Sequence, residues 1–264
     1  SIRSTVRMTG VSKKTVMRLL VEVGAVAADY QYRVFRNLNC QRIQVDECWA
    51  FVGAKQKNLT EANQANGAVG DIWLWAAIDA DTKLVATWLL GDRSASTARA
   101  FMSDLASRLS DRVQLTSDGL NVYLAAVERA FGTKIDYAQL QKIYADTTEG
   151  QKRYSPAECI GCKLVPLIGE PDPAHISTSY VERHNLSVRM TNRRYTRLTN
   201  AFSKKIENHS AAVALGYFAY NFIKIHRTLR CTPAMAAGVT NRLWEVSDLV
   251  ALLEASERGL GRAA

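Results

Sequence analysis

The chain has 264 residues, 47% apolar and 22% charged, a composition that builds a packed globular protein and excludes a disordered one. No run approaches the roughly 18 uncharged apolar residues of a spanning helix and no apolar signal core opens the chain, so a soluble, cytoplasmic protein without a membrane is expected. The net charge of +9 divides into +6 over residues 1–42, −5 over 43–182, +9 over 183–230 and −1 over 231–264, an acidic centre between basic arms that points to a polyanionic partner, foremost nucleic acid.

The chain does not open on Met and a helical pattern is already running at Ser1, so it is expected to begin inside a domain. Ile2, Val6 and Met8 mark one apolar face, Thr9-Gly10-Val11-Ser12 a turn, and Ser12 the cap of a second helix with Val16, Leu19 and Leu20 inward. A helix-turn-helix of this form reads a major groove with the start of its second helix. Lys13, Lys14, Thr15 and Arg18 are therefore candidate DNA contacts, the alternative being a solvated basic hairpin. A further helix is expected over Val21–Phe35, then a linker near Arg36–Arg42. Five dispersed cysteines, at 40, 48, 159, 162 and 231, fit free thiols in a reducing compartment.

From Arg42 the period changes to two. Ile43, Val45, Glu47, Trp49 and Phe51 alternate with Gln44, Asp46, Cys48, Ala50 and Val52, and strands follow at Ile72–Ile78 and Leu84–Leu90 around a turn at Asp79–Thr82. Lys55–Gly70 reads as a surface loop. A helix over Ser94–Ser107, a strand Arg112–Thr116, a helix Val122–Phe131 and a strand Lys134–Leu140 complete an α/β plan with a mixed five-stranded sheet. Residues 141–178 hold four of the five prolines and read as an irregular insertion. Helices resume over Ser179–Met190, Ser203–Phe222 and Ser247–Glu257.

Asp46 lies mid-strand in an apolar run, where a carboxylate needs a partner or a metal. Glu47 points to the opposite sheet face on a regular strand, so only one of the two joins an inward site. Asp118 follows the strand ending at Thr116, where open α/β sheets bind ligands, although Ser-Asp-Gly is also ordinary turn chemistry. Glu182 lies three residues after Ser179, which matches a capping box as well as a ligand. Cys159-x-x-Cys162 with His175 and His184 departs from zinc-site spacing. Trp73, Trp75 and Trp88 read as core, Asp79 with Asp81 as turn chemistry, and His226 as either packed or DNA-contacting.

Val45-Asp46-Glu47-Cys48-Trp49-Ala50-Phe51-Val52, Thr116-Ser117-Asp118-Gly119 and Tyr180-Val181-Glu182-Arg183-His184-Asn185-Leu186 with Arg189 resemble the core of insertion-sequence-one-like bacterial transposases, members of the DDE transposase and integrase group. The resemblance spans about residues 42–235, including Tyr220-Asn221, His226-Arg227-Thr228-Leu229 and Thr232-Pro233. It departs from relatives that open on a cysteine-rich zinc-binding segment. It implies a ribonuclease-H-like catalytic domain over 37–225, preceded by the helix-turn-helix of 1–36 and followed by C-terminal helices in 226–264. It further implies two Mg²⁺ or Mn²⁺ ions held by Asp46, Asp118 and Glu182, since phosphodiester attack needs charge neutralised at the entering and leaving oxygens. The implied activity is cleavage at element ends followed by strand transfer. Arg183, Asn185, Arg189, Arg193 and Arg194 would hold phosphates of double-stranded DNA, the terminal inverted repeats and the target, with the protein a homodimer or larger oligomer on DNA. A non-catalytic DNA-binding regulator and a nuclease without strand joining are the alternatives.

Overall fold

The period-two run from Arg42 forms strand β1 (Arg42–Val52), which runs through the middle of a six-stranded sheet. This computed structural model describes residues 2–145, 158–196 and 200–260. The remaining strands are β2 (Gly70–Asp79), β3 (Val85–Gly91), β4 (Gln114–Ser117), β5 (Asp136–Tyr144) and β6 (Cys159–Ile168), in the order β3-β2-β1-β4-β5-β6. β1, β2 and β3 form an antiparallel meander; β4 and β5 run parallel to β1, and β6 is antiparallel to β5.

The helices are α1 (Ile2–Thr9), α2 (Lys13–Val34), α3 (Glu61–Ala65), α4 (Ala95–Arg108), α5 (Val122–Phe131), α6 (Ser179–Thr191), α7 (Ile206–Phe218), α8 (Pro233–Ala236) and α9 (Val246–Leu260). Alternation along β1 assigns the layers. Ile43 and Val45 face a core shared with Trp75, Phe101, Met102 and Tyr123, while Cys48, Ala50 and Val52 face a second core with Val181, Val213 and Tyr217. Sheet residues are thus buried on both sides, as a sheet covered by helices on both faces requires.

Several expectations are corrected. The sheet has six strands, because the expected insertion extends β5 and adds the edge strand β6; its residues 146–157 lie outside the described residues. Lys55–Gly70 contains a 3-10 turn, Gln56–Asn58, and the short α3, capped by Thr60 on the Asn63 amide. The two helices expected from Ser12 to Phe35 are one continuous α2. Leu19, expected inside, is exposed, as is Met8. α7 ends at Phe218 in a single π turn, Ala219–Ile223, rather than continuing to Phe222.

The turn before α2 follows its residues: Gly10 takes the left-handed conformation at φ 71°, and the Ser12 hydroxyl accepts from the Thr15 amide at 3.2 Å. Beyond the turn, α2 is tied into the sheet-bearing core. Buried Gln31 donates to the Ala214 carbonyl of α7, and buried Asn221 donates to Gln31 Oε1 and to the Val85 carbonyl while accepting from the Val85 amide. Tyr30, Phe218, Phe222 and Trp244 pack ring on ring, joining α2, α7 and the segment before α9. The expected 1–36 segment therefore shares its second half with the main core.

Gly24 allows this approach. A Cβ there would lie 2.5 Å from both Cα and Cβ of Ala211 on α7, a backbone-to-backbone contact with no flexible side chain to yield. Gly24→Ala, which adds about 1 kcal/mol in an exposed helix, is expected here to cost about 1–3 kcal/mol by overpacking. Urea unfolding checks the sign; an unchanged or higher midpoint would show that the two helices separate without cost.

Candidate metal centre

β1 and β4 leave opposite flanks at the centre of the sheet, since β2 follows β1 on one side and β4 lies on the other. That is a topological switch point, and open α/β sheets form ligand crevices beyond the carboxyl ends of strands at such a point. β1 pairs with β4 only through Gln44, so Asp46 lies where β1 runs on without its neighbour. Asp118 follows immediately after β4, and its Oδ1 accepts from the Leu120 amide at 3.0 Å, which holds the turn that aims it.

Asp46, Asp118 and Glu182 line one open cleft of about 900 Å³, together with Arg93, Lys142 and Arg189. At its inner end, one oxygen from each of Asp46, Asp118 and the buried Glu47, which does not itself line the cleft, lies within 4.8 Å of the others. The three acids expected to act together thus share a cleft. Glu47 joins the innermost group, and Glu182 stands apart from that group. Period-two alternation was right about the direction of Glu47, which lies on the α5 side, where its carboxylate takes the Tyr123 hydroxyl and Arg93 Nε at 3.1 Å. It comes near the group where the pairing of β1 with β4 has ended at Gln44, although β1 stays paired with β2 beyond it.

Burial raises the Asp46 carboxyl to about 6, with Asp118 and Glu182 adding to the rise and the Glu47 amide and Asn185 opposing it. Burial likewise raises Glu47 to about 7, and Asp118 and Asp46 add to it against Tyr123 and Arg93. Carboxyls held this high among other carboxyls mark a site that gains from a cation. Arg93 supplies one, 3.1 Å from Glu47 and 3.8 Å from Asp118, seated over the Trp73 ring at 4.8 Å. The oxygen-only donor set suits a hard divalent ion such as Mg²⁺ or Mn²⁺.

Asn185 departs from its expected role. It is buried, and its Nδ2 donates to Asp46 Oδ2 at 2.8 Å, so it orients the carboxylate instead of meeting phosphate. α6 places it three residues after Glu182, on the same stripe as Arg189, and the Arg189 side chain reaches into the cleft beside Cys48. Glu182 is not a capping-box residue. The N-cap is Thr178, one residue before the expected Ser179, and Glu182 Oε1 instead accepts from the Thr178 hydroxyl and from Lys142 Nζ at 2.7 Å.

Of the basic candidates, Arg183 and Arg193 are exposed, whereas Arg194 is half-buried with its Nε on Ser203 Oγ at 3.0 Å and faces away from the cleft. Lys13, Lys14, Thr15 and Arg18 are all exposed at the start of α2. The Thr15 hydroxyl is engaged by Ser12, and Arg18 stands 3.6 Å from Glu22. Cys159 and Cys162 are exposed on β6, and among the described residues they form no metal-ligand group with His175 or His184. Asp79 accepts from Thr82 and from the Asp81 amide, as its turn role requires. Trp75 is fully buried in the core.

No helix of the described residues is long and apolar enough to cross a membrane. No protein-family model matches the chain, and no curated protein matches its sequence.

Proposed function

We propose that the chain is a DDE-type transposase, a metal-dependent enzyme that cleaves and rejoins DNA phosphodiesters on a ribonuclease-H-like domain. The observation that carries this reading is the convergence of Asp46, Asp118 and Glu182 on one cleft at the switch point of the sheet, across 72 and 64 residues of sequence. The mixed sheet with helices on both faces is compatible with that architecture, with β6 an addition at its edge.

The donor chemistry fits the ions implied. Asp46 and Asp118 would hold a divalent cation between them with Glu182 at the cleft wall, and such ions activate the attacking oxygen and stabilise the leaving one. The chain's own residues contribute the rest. Asn185 and the Glu47 amide fix the Asp46 carboxylate. Arg93, Lys142 and Arg189 give the cleft walls the positive charge a phosphate backbone needs. Exposed Arg183 and Arg193 add positive charge on the surface of that basic segment.

The test is incubation of the protein with supercoiled plasmid and labelled linear duplex, in Mg²⁺, Mn²⁺ or EDTA. Strand cleavage with Mg²⁺ or Mn²⁺ and none with EDTA is expected, with joined products accumulating after the cuts. DNA binding without cleavage under any divalent ion would replace the enzyme by a binding protein. Cleavage without joining would replace it by a nuclease.

A further inference from the structure

Another concavity lies on the far side of α6 from the acidic cleft. α6 separates the two by face: Glu182, Asn185 and Arg189 turn to the carboxylates, while His184, Ser187, Val188 and Thr191 line a groove of about 400 Å³ between α6 and α7, closed at one side by Leu20 of α2. That volume is in the range of small-molecule sites.

Polar atoms with nothing to bind lie in the wall beneath the groove. His184 is 5% exposed and Tyr217 3%, yet both ring nitrogens of His184 and the Tyr217 hydroxyl are buried with no hydrogen-bond partner among the described residues. Buried polar atoms are satisfied almost everywhere in folded proteins, because an unpaired one loses its hydration with nothing in return. Here three occur together. The imidazole stacks on the Tyr217 ring, with centroids 5.4 Å apart and planes 15° apart, and meets Tyr220 edge-on at 4.8 Å. The walls are otherwise apolar, from Leu20, Leu74, Val188 and Val213.

The groove also carries uncompensated positive charge. Arg194 and Lys224 line it, and among the described residues neither makes an ion pair. Burial lowers the pKa of Arg194 with no carboxylate to oppose it. Burial lowers that of nearby His226, and Lys83 and Lys224 add to the fall.

We propose that the groove between α6 and α7 binds a small amphiphilic organic anion, an aromatic or branched body carrying one carboxylate or sulfonate. The apolar body lies against Leu20, Leu74, Val188 and Val213 and over the stacked His184 and Tyr217 rings, and its charge meets Lys224 and Arg194. The site is independent of the acidic cleft, which takes cations and phosphates, and stands or falls apart from the assignment of that cleft.

Gly216 offers a clean block. A Cβ there meets nothing within 4 Å, so a leucine fills the groove, and Gly→Leu in a helix favours folding. The experiment is a fluorescence titration of the full chain with anilinonaphthalene sulfonate. Wild type is expected to bind one equivalent saturably at micromolar Kd. Gly216→Leu should weaken binding about tenfold or more without lowering the melting temperature, and Lys224→Ala by about three- to tenfold. Absence of saturable binding, or binding unchanged in Gly216→Leu, overturns the site. Binding lost in Gly216→Leu but unchanged in Lys224→Ala and in an Arg194→Gln variant overturns its anion selectivity.

Discussion

Asp46→Asn is expected to reduce DNA cleavage by at least about three orders of magnitude while raising the melting temperature of the metal-free protein. The two effects share one cause. The Asp46 carboxyl is pushed from its ordinary 3.8 to about 6, chiefly by burial and further by Asp118 and Glu182. A carboxyl whose folded pKa is raised binds its proton more tightly in the folded state than in the unfolded one. Its ionisation therefore opposes folding increasingly as pH rises from about 4 to 6, and fully above that. The shift corresponds to on the order of 3 kcal/mol, reduced to about 2 because Asp46 keeps an edge open to the cleft.

Asparagine removes the charge and keeps the shape. It loses one of two accepted hydrogen bonds, from the Glu47 amide or from Asn185, and the unpaired Asn185 Oδ1 is placed to accept from the new amide if that side chain turns over. A net gain of roughly 1–2 kcal/mol is expected, or about 2–6 °C for a chain of this size. The gain should be seen at pH 7.5 and vanish near pH 4. Added Mg²⁺ should raise the melting temperature of wild type and leave Asp46→Asn unmoved. A variant less stable than wild type at pH 7.5 without metal would mean that the carboxylate is held by structure alone.

The same region shows what was legible beforehand. β1 declared itself because both its faces are buried and its apolar and polar residues alternate. α5 was bounded correctly at Val122 and Phe131 because an apolar stripe runs between a turn and Gly132, whose positive φ of 58° ends the helix. The division expected between Leu20 and Val21 has no counterpart in α2, which runs through it unbroken, and Gly24 further on is a contact surface for α7. β6 was hidden because edge strands need no inward alternation: Gly161, Cys162 and Pro166 have no strand signature, and pairing with β5 alone organises them.

Side-chain partnership was less legible still. That Asn185 orients Asp46 depends on α6 lying across β1, a tertiary fact with no local trace. Glu47 was excluded by a rule about direction that takes no account of β1 running past the end of its pairing with β4. Glu182 shares the cleft of Asp46 and Asp118, but the expected cap at Ser179 is wrong, because Thr178 can also cap a helix and only the backbone decides between them.

Which glutamate completes the carboxylate set is the remaining question, and Glu182→Gln against Glu47→Gln answers it. Glu47 lies closer to Asp46 and Asp118, but its two oxygens are engaged by Tyr123 and Arg93 on the α5 side of the sheet. Glu182 lies farther, with one oxygen on Lys142 and Thr178 and the cleft before it. A ligand needs free lone pairs facing the site, and Glu182 has them. Glu182→Gln is therefore expected to lose about two orders of magnitude or more of cleavage at saturating Mg²⁺, with the melting temperature nearly unchanged because Gln still accepts from Thr178 and Lys142. Glu47→Gln should lose about tenfold or less. Lys142 competes with a divalent ion for the same carboxylate, so Lys142→Met should lower the Mg²⁺ concentration for half-maximal cleavage by a few-fold, measured at saturating DNA so that any loss of phosphate attraction does not intrude. The reverse order of the two glutamates, with Glu47→Gln inactive and Glu182→Gln active, would move the third ligand to the adjacent position on β1 and leave Lys142 and Glu182 as an ion pair of the cleft wall.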